Sequence, residues 1–185
     1  YFNKKKYKMA EKWYLESEKL GFLESKYNLG HVYYEIENFE KAEKYFQEVI
    51  EKVPHLRESA IKKLINVYNS QANIYLTNGD FNNAEKYLLI LIKEYGINEC
   101  YYNLAILNKK KGNKEKYKEY ILKGCEFGDS KFMYNYALSI YSETGEYTKE
   151  VDMWLKKAAE KDHVVAMYEL GLFASEQGRM EDSKK

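Results

Sequence analysis

Hydrophobic and aromatic side chains recur every three or four residues along most of this chain, in segments separated by glycine or asparagine. Two adjacent segments carry the clearest pattern: Tyr27, Leu29, Gly30 and Tyr33, followed by Ala42, Phe46 and Val49. A spacing of three to four residues places side chains on one face of an α-helix. The pattern therefore predicts an all-α protein made of amphipathic helices.

The segments also repeat in pairs. A small residue late in one helix is followed, about twelve positions later, by another small or aromatic residue in the next helix. The pairs are Gly30/Ala42, Ala72/Ala84, Ala105/Tyr117, Ala137/Val151 and Gly171/Ser183. Small residues let two helices approach closely, and a fixed repeat indicates one structural unit used several times. We therefore predict a stack of antiparallel helical hairpins.

The repeat divides the chain into six segments, which we interpret as one repeat domain over residues 1–185 within a longer chain. The segments are 1–21 (the second helix of a partial repeat), 23–56, 57–97, 98–128, 129–162 and 163–185 (a further partial repeat). Turns are predicted near Glu37, Gly79, Gly112, Gly145 and Gly178. A long helix is predicted from about Arg57 to Asn78, because its helical spacing is unbroken.

Two sets of residues carry a family resemblance. Leu29, Gly30, Tyr33, Ala42, Phe46, Val49 and Pro54 resemble the signature of a tetratricopeptide repeat. Residues 154–160 and 166–171 resemble the Sel-like variant of that repeat. The resemblance implies a right-handed superhelical solenoid of helical hairpins, in which the first helix of each hairpin lines a concave face. It also implies an adaptor or scaffold that binds other proteins.

The concave face would carry one stripe of side chains from each first helix. Its candidate binding residues are Tyr27, His31, Tyr34, Asn69, Asn73, Tyr102, Lys109, Tyr134, Tyr141 and Tyr168. The same stripe includes Leu76, Ile106, Leu138, Leu172 and Ser175. Tyrosine suits an interface because it combines a large apolar area with a hydroxyl group. The alternative is that these tyrosines mainly pack the repeats, since the chain contains 20 of them.

Charge and hydropathy narrow the range of partners. The chain has 30 basic and 29 acidic residues, so no overall field attracts nucleic acid. Six lysines at 109, 110, 111, 114, 116 and 118 form a local basic patch, interpreted as a solvated rim rather than an RNA contact. No apolar run approaches the roughly 20 residues that cross a bilayer, so we expect no membrane insertion. A protein or peptide is the expected partner, and self-association is a further possibility.

Candidate chemistry is sparse. His31 and Glu35 could share a helical face, but two ligands are too few for a metal site. No nucleophile has an evident base beside it, and no glycine-rich phosphate loop occurs. We therefore predict neither metal, cofactor nor catalytic residue, and a protein that is not an enzyme.

The two cysteines leave one question open. Cys100 and Cys125 lie equally far from the turn at Gly112 and Asn113, so they are predicted to lie opposite one another in an antiparallel hairpin. A disulfide is conceivable, but buried reduced thiols are favoured because only one repeat has such a pair. Reduced thiols favour the cytoplasm over a secreted or periplasmic location.

The resemblance supplies a rival function. Cysteine-containing Sel-like relatives are secreted, and some are described as binding or hydrolysing β-lactams. The main hypothesis remains a scaffold that binds a peptide or partner protein in a tyrosine-rich groove. The alternatives are a β-lactam-binding or hydrolytic protein and a self-assembly module.

Overall fold

The computed structural model of the protein describes the backbone of residues 2–182 and the side chains of residues 6–175. Within this range the regular structure is helical and no strand occurs. The all-α prediction is therefore confirmed. The chain divides into two compact units, residues 1–95 and residues 96–185, which are called the first unit and the second unit below.

The described part of the first unit contains five α-helices and one short 3-10 turn. The helices are α1 Phe2–Lys19, α2 Ser25–Glu35, α3 Phe39–Lys52, α4 Arg57–Thr77 and α5 Phe81–Tyr95, with the 3-10 turn at Pro54–Leu56. Each helix packs against its neighbours in sequence, and short turns make consecutive helices antiparallel. The long fourth helix agrees with the unbroken pattern from Arg57 to Asn78.

The second unit contains the remaining five described helices. They are α6 Cys100–Lys110, α7 Lys114–Glu126, α8 Ser130–Thr144, α9 Lys149–Ala159 and α10 Val164–Asp182. Here too each helix packs against the next one in sequence. Both units are thus stacks of helical hairpins, an arrangement consistent with a helical solenoid.

The turns between the helices contain glycines with positive φ and asparagines that cap the next helix. Gly79 and Gly112 have φ angles of 75° and 74°, a region that glycine enters without steric cost. Asn113 then caps α7, because its side chain accepts a hydrogen bond from the backbone N–H of Lys116 at 3.0 Å. Asn38 caps α3 in the same way, accepting from the N–H of Lys41 at 3.2 Å. The predicted turns at Glu37, Gly79, Gly112 and Gly145 are confirmed.

The prediction of a turn at Gly178 is wrong, because α10 continues through this position to Asp182. A single glycine inside a helix costs about 1 kcal/mol relative to alanine, which neighbouring residues with good helix propensity offset. At Gly79, Gly112 and Gly145 the backbone has positive φ, whereas position 178 lies within α10. A glycine in this sequence is therefore not sufficient by itself to predict a turn.

Two helix glycines lie against an aromatic ring of the next helix. A Cβ atom added to Gly30 on α2 would lie 2.7 Å from the ring of Phe46 on α3, which is fully buried. At Gly124 on α7 an added Cβ would lie 1.9 Å from the ring of Phe132 on α8. Glycine at each position thus makes room for an aromatic ring. The packing role predicted for Gly30 is confirmed, whereas the sequence pattern did not single out Gly124.

Candidate functional site

Most candidate binding residues of the first unit take part in internal contacts. The ring of Tyr27 meets His31 and Phe46 edge to face, with centroids 4.8 and 5.8 Å apart. The hydroxyl group of Tyr34 lies 3.1 Å from that of Ser70 on α4. Burial lowers the pKa of His31, and the nearby Lys63 adds to this effect. These side chains therefore contribute to packing between α2, α3 and α4.

The asparagines of this set lie on α4. Asn69 is half-buried and Asn73 is exposed. The described residues of the first unit thus present one exposed candidate, Asn73, and four half-buried ones.

Other tyrosines of the first unit form links between successive helices. Tyr33 on α2 donates a hydrogen bond to Glu11 on α1 at 2.6 Å, and Tyr68 on α4 donates one to Glu43 on α3 at 2.9 Å. Burial, followed by the hydrogen bond to the carboxylate, raises the pKa of both phenols. Both tyrosines are therefore neutral donors at physiological pH, and each ties a first helix to the preceding hairpin.

A buried lysine adds a third link. Lys26 on α2 is 7% exposed and forms ion pairs with Glu18 on α1 and Glu48 on α3. Burial alone would lower the pKa of Lys26, but hydrogen bonds to the two carboxylates offset this effect and raise the pKa. The same contacts lower the pKa of Glu48. One side chain thus joins three helices, and the sequence pattern gave no sign of it.

The second unit contains an open cleft of about 980 Å³ among α6, α7 and α8. We call it the α6–α8 cleft. Its lining residues are Lys109, Gly112, Lys114, Glu115, Tyr117, Lys118, Asn135, Leu138, Ser139, Tyr141, Ser142 and Glu143. The turn between α6 and α7 brings Lys109 and Lys114 to one side, and the last three turns of α8 form the other side.

The cleft brings together three members of the predicted stripe. Lys109 and Tyr141 are candidate binding residues, and Leu138 belongs to the same stripe. Leu138 and Tyr141 lie three positions apart on α8 and are 38% and 39% exposed. Residues three apart on a helix share a face, so the two side chains form a continuous apolar surface. Edge-to-face contact with Phe173 of α10, at 5.8 Å, supports the Tyr141 ring.

Tyr117 forms the buried part of the cleft lining. Its hydroxyl shares a hydrogen bond with Ser139, and burial raises its pKa. The ammonium group of Lys109 lies 5.6 Å from the centre of the Tyr117 ring, within the range of a cation–π contact. Other hairpins of the repeat pattern have a small residue at the position of Tyr117. The large Tyr117 side chain therefore forms part of the cleft lining.

The remaining candidates of the second unit lie outside the cleft lining. Tyr102 contacts Phe132 edge to face at 5.9 Å, and Tyr134 stacks on His163 at 4.6 Å. Tyr168 on α10 is 64% exposed. The structure therefore groups two of the five candidates of this unit in one cleft.

The two cysteines are free, buried thiols on α6 and α7. Burial raises the pKa of Cys100 to about 11 and that of Cys125 to about 12. Thiols with such values are almost fully protonated at neutral pH, and the protonated form is a poor nucleophile. The predicted approach of the two cysteines stays a prediction.

The described residues also bear on two other kinds of site. No group of three or more histidine, cysteine, aspartate or glutamate side chains could hold a metal ion among them. None of the helices in the described range is long and apolar enough to cross a membrane.

Two family models, both described as tetratricopeptide repeat, match residues 24–56 and 65–93. The first match corresponds to α2, α3 and the 3-10 turn, and the second lies within α4 and α5. These two segments of the first unit are therefore similar to tetratricopeptide repeats. Repeats of this kind suggest a protein–protein interaction scaffold and are typically not enzymatic. Neither match reaches the second unit, so the resemblance of its C-terminal part to Sel-like repeats stays a prediction.

Two solved structures match the chain at low sequence identity. One is described as the crystal structure of MamA, with 20% sequence identity and a TM-score of 0.48, covering 90% of this chain and 94% of that one. The other is described as the crystal structure of BtubC (BKLC) from P. vanneervenii, with 18% identity and a TM-score of 0.43, covering 84% of this chain and 71% of that one. No curated protein sequence matches the chain.

Proposed function

We propose that this protein is an interaction scaffold that binds a peptide segment of a partner protein in the α6–α8 cleft. The cleft itself carries the proposal: it is an open depression in which Lys109, Leu138 and Tyr141 of the predicted stripe meet. Peptide grooves combine exposed apolar side chains with a few polar groups that orient the bound chain. Leu138 and Tyr141 supply the exposed apolar side chains. The polar groups are those of Asn135, Ser142 and the lining lysines Lys109, Lys114 and Lys118.

The proposal narrows the groove expected from the sequence. Tyr27 and Tyr34 contact other side chains of the first unit, so a partner would gain little new area from them. Tyr141 is supported from behind by Phe173 and remains 39% exposed toward the cleft side of α8. A rigid, partly exposed aromatic ring of this kind is typical of a binding hot spot. Binding should therefore depend on Tyr141 far more than on Tyr27 or Tyr34.

The second unit also carries the inferred Sel-like hairpins. Support comes from α8, α9 and α10, which follow one another with short turns and bury the small residues Ala137, Ala158 and Ala166. Stacked hairpins of this kind bury one face and present the other, which suits a binding surface better than an active site.

The test begins with twelve-residue peptides selected from a random display library on the 185-residue chain. Affinity of the selected peptides is then measured for Leu138→Ala, Tyr141→Ala and the control Ile74→Ala. Ile74 on α4 is 40% exposed, which matches Leu138, but it belongs to the first unit. We expect each cleft variant to weaken binding by about 1–2 kcal/mol and the control to have no effect.

Circular dichroism of each variant checks that helix content is retained. Peptides that bind with equal affinity to the parent protein and to both cleft variants would contradict the proposal.

A further inference from the structure

We propose that the α6–α8 cleft recognises an acidic peptide segment that also carries an apolar side chain. This inference rests on the proposed function, because it names the chemistry of the partner that the cleft would accept. It follows from the charge on one side of the cleft, the ion pair within it and the apolar surface opposite.

The positive charge beside the cleft is concentrated in one short segment of the chain. Residues 109–118 contain six lysines and one glutamate, whereas the whole chain has a net charge of only +1. Lys109, Lys114 and Lys118 of this segment line the cleft. Positive charge concentrated beside a concave surface attracts an anionic segment, even where the protein as a whole is nearly neutral.

The acidic residues of the cleft leave part of this charge unbalanced. Glu143 on α8 forms an ion pair with Lys118 on α7 at 2.7 Å, and this contact raises the pKa of Lys118. Glu143 is therefore neutralised by a lysine of the same cleft. Among the side chains that the structure describes, Lys109 and Lys114 have no carboxylate partner. Glu115 is the one remaining acidic group of the lining, so two lysines face one carboxylate.

The apolar surface defines the second requirement. Leu138 and Tyr141 lie three residues apart on α8, and both line the cleft. Covering them with an apolar side chain removes hydrophobic area from water, at roughly 25 cal/mol per Å². A segment with carboxylates for Lys109 and Lys114 and one leucine or aromatic residue for this surface satisfies both sides.

The same features disfavour a nucleic acid. A polyphosphate would approach Glu115 as well as the lysines, and repulsion from this carboxylate would oppose it. Arginine, the residue best suited to phosphate, does not line the cleft. A peptide with spaced carboxylates can avoid Glu115, so it fits the charge pattern better than a continuous chain of phosphates.

The peptide selection tests this inference separately from the proposed function. Enrichment of aspartate and glutamate together with a leucine or an aromatic residue is the expected result. Selected peptides that are neutral or basic, yet lose affinity with Tyr141→Ala, would overturn the acidic preference and leave the proposed function intact. Failure to select any peptide sensitive to Tyr141→Ala would overturn both.

Charge-reversal variants provide the sharper measurement. Lys109→Glu combined with Lys114→Glu should weaken binding of a selected peptide about tenfold or more at low salt, and much less at 0.5 M salt. The matched control combines Lys44→Glu with Lys93→Glu, two exposed lysines of the first unit, and should change affinity less than about twofold. Equal losses in both double variants would overturn the inference, because a general field and not the cleft would then attract the peptide.

A twelve-nucleotide single-stranded RNA serves as the competing probe. We expect it to bind more weakly than the acidic peptide and without sensitivity to Tyr141→Ala. Tighter binding of the RNA, lost in Tyr141→Ala, would assign the cleft to nucleic acid and overturn the peptide inference.

Discussion

Both units consist of helical hairpins, but their tyrosine side chains differ in contacts and exposure. In the first unit, Tyr33 and Tyr68 donate hydrogen bonds to glutamates of the preceding helix, and Tyr75 stacks on Tyr87 at 5.8 Å. In the second unit Tyr117 is buried in the same way, but Tyr141 lines an open cleft and stays 39% exposed. The contrast between the units therefore rests on Tyr141, whose ring keeps surface that is open to a partner.

Charged residues differ in the same way. Lys26 of the first unit is buried between two glutamates on neighbouring helices. Lys109 and Lys114 of the second unit are exposed beside the cleft. A buried and paired lysine cannot reach a partner, whereas an exposed lysine can. The contrast shows that the number of lysines in a repeat does not by itself tell how many of them are exposed.

The largest expected effect tests whether the second unit is packed as tightly as the first. Gly124→Ala would force a methyl group into the ring of Phe132, where the added Cβ meets an atom at 1.9 Å. We expect a loss of about 3 kcal/mol in the free energy of unfolding, and about 1–2 kcal/mol for Gly30→Ala, whose contact is at 2.7 Å. Urea unfolding followed by circular dichroism measures both.

Gly171→Ala is the matched control for these two variants. Nothing lies within 4 Å of a Cβ added at Gly171, which is exposed in the middle of α10. Alanine should therefore stabilise this helix by up to about 1 kcal/mol. A neutral Gly124→Ala would indicate that the second unit is the looser stack.

The second prediction concerns the buried ion pairs of the first unit. Lys26→Met should reduce stability at neutral pH by about 2 kcal/mol, because it leaves Glu18 and Glu48 close together without their shared cation. The pKa of Glu48 is lowered in the folded state, so its contribution to stability is present above its ordinary pKa of 4.5 and is lost as the pH falls through the lowered value.

The difference in unfolding free energy between parent and Lys26→Met should therefore shrink in acid. Urea unfolding at pH 7 and at about pH 3 measures this change. A difference that stays constant over this pH range would mean that packing, and not the ion pairs, accounts for the role of Lys26.

The smallest expected effect is the loss of stability when a tyrosine hydroxyl group is removed. Tyr33→Phe and Tyr68→Phe should each cost about 1 kcal/mol of stability, because each removes a hydrogen bond to a carboxylate. Tyr141→Phe should leave the unfolding free energy unchanged, since the Tyr141 contact with Phe173 involves the ring and not the hydroxyl group. A loss with Tyr141→Phe equal to that with Tyr33→Phe would remove the contrast between the two units.

Much of the fold could be predicted because helices, turns and small residues leave local signals. The long helix α4 follows from an unbroken spacing, and the turns at Gly79 and Gly112 follow from residues that favour positive φ. Gly178 shows the limit of this reasoning. This glycine lies inside α10, because the low helix propensity of a single residue favours a helix end without requiring one.

The candidate site was predicted less completely. Counting positions placed Lys109, Leu138 and Tyr141 on one stripe, and the structure brings them to one cleft. The same counting placed Tyr27 and Tyr34 on that stripe, yet they contact Phe46 and Ser70. Periodicity identifies the face of a helix but not which neighbour lies across from it, so it could not separate an open tyrosine from a packed one.

The sequence by itself determined the hairpins, their turns and the all-α class, since these depend on residues close together in the chain. Only the tertiary structure decided that Lys26 joins three helices, that Gly124 makes room for Phe132 and that Glu143 neutralises Lys118. Each of these is a contact between different helices. Its geometry depends on how the helices cross, and helix crossing is fixed by the packing of whole faces rather than by any local pattern.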